Sequence, residues 1–203
     1  MRSRILLLVL LAAVGSAEAC FAADPRYPDW PCAQAKVPEV SLAAVWAGPP
    51  LDDATNKWKD DAKISALVPR LAARRTALDD AEKAIKEFLA GSAAKAETGK
   101  LLFAGLFDTL NAQRGQVMGG LERVTRKQRE AADKIRSDTL ALQALQDATP
   151  PDQPRVDELG NQLVWETRIF EDRRRVIKFV CEVPTAIDQR LFALGRVIQQ
   201  EME

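Results

Sequence analysis

Apolar residues between positions 98 and 147 recur at alternating steps of four and three, the pattern of one face of a long helix. Only Arg114, Gln128 and Asp138 interrupt the series, and no proline follows within it before Pro150. We therefore predict one helix over residues 98–147, about 75 Å long at 1.5 Å per residue. Its apolar positions are Phe103, Phe107, Leu110, Val117, Leu121, Val124, Ala131, Ile135, Leu142 and Leu145.

The same spacing restarts after a proline-rich turn at residues 149–154 and continues over residues 155–202. Pro184 lies inside this second run, so we expect a kink after Cys181. Two long apolar stripes joined by a short loop predict an antiparallel helical hairpin. The apolar positions of the second stripe are Val156, Leu159, Leu163, Phe170, Ile177, Val180, Ile187, Leu191, Leu194 and Ile198.

Shorter helices are predicted between Leu51 and Gly91, where the apolar spacing is again three and four. Asp52 or Asp53 is expected to cap a helix that runs to about Leu67. Pro69 then begins or kinks the next helix, and Gly91-Ser92 ends it. These helices would cover the open face of the hairpin. The predicted fold is all-α: an elongated helical bundle over residues 51–203, built on a long antiparallel coiled-coil hairpin.

Residues 23–50, which we call the strap, differ from the rest of the chain because they hold six prolines. Proline fixes φ and biases the preceding residue toward extended geometry. The strap is therefore predicted to be extended or rich in turns. A short strand or a helical turn fits residues 40–47.

Residues 1–22 have the three-part layout of a secretory signal peptide, with Arg2 and Arg4 before an apolar run at residues 5–14. The alternative is a retained membrane anchor, but a span needs about 20 apolar residues. Cleavage is predicted after Ala19 or after Ala22. We therefore expect an exported protein, located in the periplasm of a Gram-negative bacterium.

Cleavage after residue 19 would leave Cys20 first, which raises the alternative of a lipoprotein. Lipidation usually requires an aliphatic residue three places earlier, where this chain has Ala17. Glu18 fits poorly as well, so the lipoprotein is the less favoured alternative. Cleavage after Ala22 would remove Cys20.

Cys32 and Cys181 then remain, and an even cysteine count in an oxidising compartment predicts a disulfide. Two buried free thiols are the alternative. If the hairpin turns near residue 151, Cys181 lies level with Leu121, beside Gly119-Gly120. The glycines would either admit a strap that crosses the hairpin there or mark a local bend.

The same register makes three further predictions about polar residues. It places Arg114 near Asp188 as an interior ion pair, and Gln128 near Arg173. It also places Asp138 and Glu166 at nearly the same level. These two carboxylates would either share a proton and titrate abnormally, or form a polar layer that fixes the register.

The chain has 29 basic and 29 acidic residues, and removing residues 1–22 leaves a net charge of about −1. This balance gives no reason to expect nucleic-acid binding. The hairpin nevertheless carries a basic band, for which we predict either an acidic protein or anionic lipid as partner, or simply a solvated face. The band comprises Arg123, Arg126, Lys127, Arg129, Lys134, Arg136, Arg168, Arg173, Arg174, Arg175 and Lys178, with Arg126, Arg129, Arg174 and Arg175 as candidate partner-binding residues.

The absence of histidine removes histidine-based acid–base catalysis and the commonest metal ligand. No Cys-x-x-Cys pair or glycine-rich phosphate loop occurs. Asp52-Asp53 and Asp60-Asp61 lack the spacing of a calcium loop and fit solvated caps better. We predict no cofactor, no metal and no enzymatic activity, with Asp138 and Glu166 as the alternative of a carboxylate-dependent enzyme.

The run Asp24-Pro25-Arg26-Tyr27-Pro28-Asp29-Trp30-Pro31-Cys32, followed by Lys36-Val37-Pro38, resembles the mature start of uncharacterised exported helical proteins of alphaproteobacteria. The resemblance covers about 30 residues and implies a periplasmic setting but no activity. The hairpin is also similar to the coiled-coil arm of periplasmic efflux adaptors. Those proteins carry flanking β-domains that this sequence lacks, so we do not adopt that assignment.

The function predicted from the sequence is protein–protein interaction, as an accessory or scaffold protein of the cell envelope. Aromatic residues often dominate interface energy, so Tyr27, Trp30, Trp46 and Trp58 are candidate exposed anchors for a protein partner. Peripheral binding to an anionic membrane through the basic band is the alternative.

Overall fold

The computed structural model describes residues 24–203, so the predicted signal peptide, its two cleavage sites and Cys20 lie outside the described residues. Within the described residues 76% are helical and none is in a strand, which confirms the all-α prediction. The elements are α1 (Leu42–Val45), α2 (Ala54–Lys57), a 3₁₀ turn (Trp58–Asp60), α3 (Ala62–Ala72), α4 (Leu78–Ala90), α5 (Lys95–Asp147), α6 (Gln153–Val180) and α7 (Val183–Met202).

The predicted hairpin is present as α5, α6 and α7. Helix α5 begins three residues before the predicted start and ends where predicted. The second arm divides into two helices at Cys181 and Glu182, in agreement with the predicted kink. Pro184 lies in the first turn of α7, where its missing N–H removes no intrahelical hydrogen bond.

The region between Leu51 and α3 is broken into shorter pieces than predicted. Asp53 makes no side-chain cap, whereas Asp61 accepts hydrogen bonds from the N–H groups of Lys63 and Ile64 at 2.8 and 3.0 Å. The cap was predicted at Asp52 or Asp53, but the residue that caps is Asp61, one short helix further along the chain. Two Asp-Asp pairs follow each other in the sequence, and either can cap a helix. Pro69 lies inside α3.

One hydrophobic core lies at the base of the hairpin, where α1 to α4 and α7 surround the first turns of α5. Its largest fully buried side chains are Phe103, Ile64, Leu71, Ile85, Leu89, Leu102, Leu106, Leu110, Leu191, Leu194, Ile198 and Val68. Burial on this scale accounts for most of the stability of such a bundle.

Trp46 and Trp58 belong to this core, and each is only 7% exposed. Trp46 stacks on Phe103 with ring centroids 4.2 Å apart, and its indole N–H donates to the carbonyl oxygen of Pro49 at 2.7 Å. The prediction that Trp46 and Trp58 are exposed anchors was wrong. Trp46 lies in the proline-rich strap and Trp58 in the polar stretch that follows it, and both fold back onto α5.

Beyond the core, α5 and α6 continue as a two-helix arm. From Leu121 to the end of α5 the arm extends about 40 Å at 1.5 Å per residue. Its seam is thin, since Leu121, Gln128 and Leu163 are the side chains that bury there. A two-helix seam leaves apolar positions on both of its edges open unless a third element covers them.

Candidate functional site

The strap covers one edge of the seam and runs lengthwise along α5. At one end Asp29 accepts a hydrogen bond from Nη1 of Arg126 at 2.7 Å and pairs with Arg129 as well. Further along, Lys36 Nζ lies 2.5 Å from Oε1 of Glu122. Residue numbers rise along the strap while those of the α5 residues that it contacts fall, so the two segments are antiparallel.

The disulfide between Cys32 and Cys181 joins the strap to the end of α6, with 5.5 Å between the two Cα atoms. The pairing predicted from the cysteine count is thus present. Beside it, Nε2 of Gln34 donates to Oε1 of Glu182 at 3.2 Å. The strap therefore occupies the groove between α5 and the α6–α7 junction.

The strap passes α5 at the level of Gly119 and Gly120, between the Lys36–Glu122 and Val37–Arg114 contacts. The glycines do not admit it, so that part of the prediction was wrong. A Cβ added at Gly119 would lie 3.3 Å from Nη1 of Arg123, and one at Gly120 would lie 3.8 Å from Nη2 of the same residue. No strap atom lies within 4 Å of either position. The glycines instead let the Arg123 guanidinium lie close against α5, which stays helical through this region.

The two strap aromatics are half-buried. Nζ of Lys36 lies 4.4 Å from the centre of the Tyr27 ring, and the Trp30 indole N–H donates to the carbonyl oxygen of Gln34 at 2.7 Å. Each aromatic therefore contributes to the fold of the strap and keeps part of its surface in solvent. Their role as partner anchors stays a prediction.

The predicted polar pairs are close to their predicted levels. Nε of Arg114 lies 2.8 Å from Oδ1 of Asp188. The buried Gln128 donates to the carbonyl oxygen of Phe170 at 2.9 Å, one helical turn from the Arg173 level expected for it. The hairpin register is therefore correct to within a turn.

Asp138 and Glu166 do lie at one level, but an ammonium group stands between them. Nζ of Lys134 lies 2.5 Å from Asp138 Oδ2 and 2.8 Å from Glu166 Oε1. The hydrogen bond from Lys134, with a second from Gln162, lowers the pKa of Glu166. Both hydrogen bonds favour the ionised carboxylate. The geometry is that of a charged cross-link between α5 and α6, not of two carboxyls sharing a proton.

The opposite edge of the seam is an open apolar groove, which we call the open groove. An α-helix has 3.6 residues per turn, so the positions around the seam residue Leu121 divide between two sides of α5. Glu122 and Arg126, which contact the strap, lie on one side. Gly120 and Val124 lie on the other side. The groove has a volume of about 550 Å³. Val117, Gly120, Leu121, Val124, Asp172, Arg173, Val176, Ile177 and Val180 line it.

The open groove continues toward the tip of the arm. A second cavity of about 230 Å³ shares Arg173 with the first and is bordered by Ile135 and Ile169. Helix α6 carries an apolar stripe along this side, at the four-and-three spacing of one helix face. Its members include Trp165, 62% exposed, Val176, 57% exposed, and Phe179, 76% exposed.

Sequence reasoning missed the open groove. The α6 side chains of the open groove are seam positions or their sequence neighbours. The sequence pattern therefore does not separate them from the apolar stripe that forms the hairpin. The detectable signal was the width of the stripe: Val176-Ile177 and Phe179-Val180 are adjacent apolar pairs, which one partner helix cannot cover. Trp165 was not singled out either.

Much of the predicted basic band is neutralised within the chain. Arg126 and Arg129 hold Asp29, Arg175 lies 2.5 Å from Asp172, and Arg136 lies 2.9 Å from Asp133. Of the four band residues proposed to contact a partner, Arg174 has no ion pair within residues 24–203, and Arg126, Arg129 and Arg175 do. The first two are strap-holding residues in this structure.

No group of His, Cys, Asp and Glu side chains in residues 24–203 is arranged to hold a metal ion. No helix in the same range is long and apolar enough to cross a bilayer. No protein-family model, curated protein or solved structure matches the chain. The fold itself defines a disulfide-strapped helical bundle with a projecting two-helix arm.

Proposed function

We propose that this protein is a non-enzymatic interaction protein of the bacterial cell envelope, acting as an accessory or scaffold factor. The observation that carries the proposal is the open groove. It is an apolar edge of the two-helix arm that no other part of residues 24–203 covers, whereas the strap fills the groove on the other edge. An element similar in width to the strap or to one helix fits such an edge.

The periplasmic location rests on the signal-peptide pattern of residues 1–22 and on the Cys32–Cys181 disulfide. Disulfides persist in oxidising compartments and are rare in the cytosol. The resemblance of the strap to exported alphaproteobacterial proteins agrees with this location.

Exposed aromatic and aliphatic side chains support binding to a protein. Trp165, Val176 and Phe179 project from one side of α6, and large apolar side chains in solvent are the usual anchors of interfaces. Peripheral binding to anionic lipid is less favoured, because Arg126, Arg129, Lys134, Arg136 and Arg175 of the basic band already face carboxylates.

Site-specific photo-crosslinking tests the proposal. A photoreactive phenylalanine analogue replaces Val176 or Val124 in the groove, and in the control it replaces Glu171, an exposed residue on another face of α6. We expect the two groove positions to give an adduct with one defined envelope protein, and Glu171 to give none. Equal adducts at all three positions, or none in the groove, would refute this function.

A further inference from the structure

The cations around the open groove differ from the rest of the basic band. Arg173 lines both cavities of the groove, and Arg123 lies over the glycines at its edge. Lys127 and Arg168 stand on the same side of α5 and α6, by helical spacing from Val124 and Trp165. Within residues 24–203, none of the four has a carboxylate oxygen within 4.0 Å, unlike the band cations that face the strap or the Lys134 cross-link.

The groove therefore combines an apolar floor with a rim of four cations that have no carboxylate oxygen of residues 24–203 within 4.0 Å. The acids on the same side are Asp172, which pairs with Arg175, Glu166, which pairs with Lys134, and Glu130. The floor extends from Val117 to Ile135 on α5, about 27 Å at 1.5 Å per residue. That length accommodates roughly 18 residues of a partner helix. Val124, Val176 and Ile169 provide apolar contacts at successive turns along it.

We propose that the occupant of the open groove is an amphipathic helix of another protein, with an apolar stripe flanked by Asp and Glu. This inference rests on the proposed function and specifies the chemistry of the partner. Charge complementarity carries it, since acidic flanks would pair with Arg123, Lys127, Arg168 and Arg173 as the stripe enters the groove. A second copy of the chain is disfavoured, because these four cations would face their own counterparts.

Two designed peptides test the inference against the purified chain. Both are about 20 residues long with leucine at helix-face spacing; one carries glutamate beside the stripe and the other lysine. Isothermal titration calorimetry measures binding at low and high salt. We expect the glutamate peptide to bind about tenfold more tightly, with the difference shrinking at high salt because exposed charges are then screened.

Charge reversal tests whether the rim cations cause the preference. In the Lys127→Glu/Arg168→Glu variant we expect the preference to invert toward the lysine peptide. Arg136→Glu is the matched control: it removes an exposed α5 cation that pairs with Asp133 outside the groove, and it should leave the preference unchanged. Val124→Gln/Val176→Gln should weaken both peptides about tenfold, because the apolar floor is shared.

Several results would overturn the inference. Equal binding of the two peptides, or equal effects of Arg136→Glu and the rim variant, would remove the charge argument. Two further results would identify a different occupant. One is a concentration-dependent dimer, seen in sedimentation velocity, that Val176→Gln dissociates. The other is co-sedimentation with phosphatidylglycerol vesicles that Lys127→Glu/Arg168→Glu abolishes. If crosslinks form at Val176 while no peptide preference exists, the proposed function stands and the acidic-helix partner alone fails.

Discussion

Arg114 of α5 lies against Asp188 of α7, with 2.8 Å between Nε and Oδ1. The same guanidinium donates through Nη1 to the carbonyl oxygen of Val37 at 2.6 Å, and the side chain is only 6% exposed. The two side chains form a close ion pair. One buried cation thus joins the hairpin, the kink region and the strap.

Replacing Arg114 by Met should lower the free energy of unfolding by about 2 kcal/mol, since it leaves Asp188, 36% exposed, without its countercharge and the carbonyl oxygen of Val37 without its donor. Burial raises the pKa of Asp188, and Arg114 opposes that rise. The variant should therefore raise the pKa of Asp188 further, as measured by NMR titration. Urea denaturation measures the stability change.

Lys57→Met is the control for the Arg114 variant, because Lys57 forms an exposed ion pair with Asp53 on the surface of α2. Exposed pairs of this spacing contribute little to stability. The unfolding midpoint of Lys57→Met should stay nearly unchanged. A similar loss in both variants would show that the Arg114 contact has no special role.

Removing the disulfide should destabilise the chain strongly. Cys32 and Cys181 are 149 positions apart, and closing so long a loop restricts the unfolded state by about 3–5 kcal/mol in chain-entropy terms. The Cys32→Ser/Cys181→Ser variant should lose that much in urea denaturation, and trypsin should then cut after Lys36 in the released strap. Reductant should lower the stability of the native chain and leave the variant unaffected; insensitivity of both would contradict the prediction.

The attachment of the strap to the arm should depend on pH through Asp29. Hydrogen bonds from Arg126 and Arg129 lower the pKa of Asp29. A carboxylate with a lowered folded-state pKa stabilises the attachment above its ordinary pKa of about 4, and that contribution is lost as the pH falls through the lowered value. The slower reduction of the native disulfide by a phosphine, compared with that of an Asp29→Asn variant at the same pH, should therefore disappear in strongly acidic buffer.

The disulfide of Asp29→Asn should be reduced faster than that of the native chain at neutral pH, and the ratio of the two rates should fall toward one in strongly acidic buffer. The matched control is Asp24→Asn, since Asp24 also has a lowered pKa but pairs with Arg26 inside the strap itself. At neutral pH the disulfide of the Asp24→Asn variant should be reduced at the same rate as that of the native chain. If Asp24→Asn accelerated reduction as much as Asp29→Asn, the tether to α5 would not be the cause.

The parts of the fold that the sequence predicted correctly depend on periodicity and on chain reversal. The bounds of α5, the break after Cys181 and the pairing of Arg114 with Asp188 all follow from two stripes and one turn. The path of the strap did not follow, because proline content predicts extended geometry but not direction. Its antiparallel course depends on contacts such as Asp29 with Arg126, which no local pattern encodes.

The open groove and the fate of the tryptophans were missed for a related reason. Burial of Trp46 and Trp58 depends on how the short helices fold back on α5, a tertiary event with no periodic signal over four residues. Val176 is exposed because the strap packs against the other edge of the seam. In both cases a segment packs against one of two apolar surfaces, and the sequence does not distinguish between them.

Lys134 should control the titration of Glu166. The Lys134→Met variant removes the hydrogen bond that lowers the pKa of Glu166 most, so that pKa should rise toward the ordinary glutamate value. NMR titration of the side-chain carboxyl measures it, with Lys127→Met as a control on the same helix. A pKa of Glu166 above the ordinary value in the native chain would restore the proton-sharing pair with Asp138 and the enzymatic alternative.

Two glycines on α7 and α6 should respond oppositely to alanine. A Cβ at Gly195 would lie 2.8 Å from Cε2 of Phe103 and 3.0 Å from the carbonyl oxygen of Val45, so one neighbour is backbone and must move. Gly195→Ala should therefore destabilise the chain by about 1–3 kcal/mol through overpacking.

At Gly160 nothing lies within 4 Å of the added Cβ. Alanine there should stabilise the chain by about 0.5–1 kcal/mol, because it restricts the unfolded state and favours helix. Urea denaturation of both variants gives the two signs directly. A stabilised Gly195→Ala would mean that α7 can shift away from Phe103 without loss, and that the core at the base of the hairpin is looser than its burial indicates.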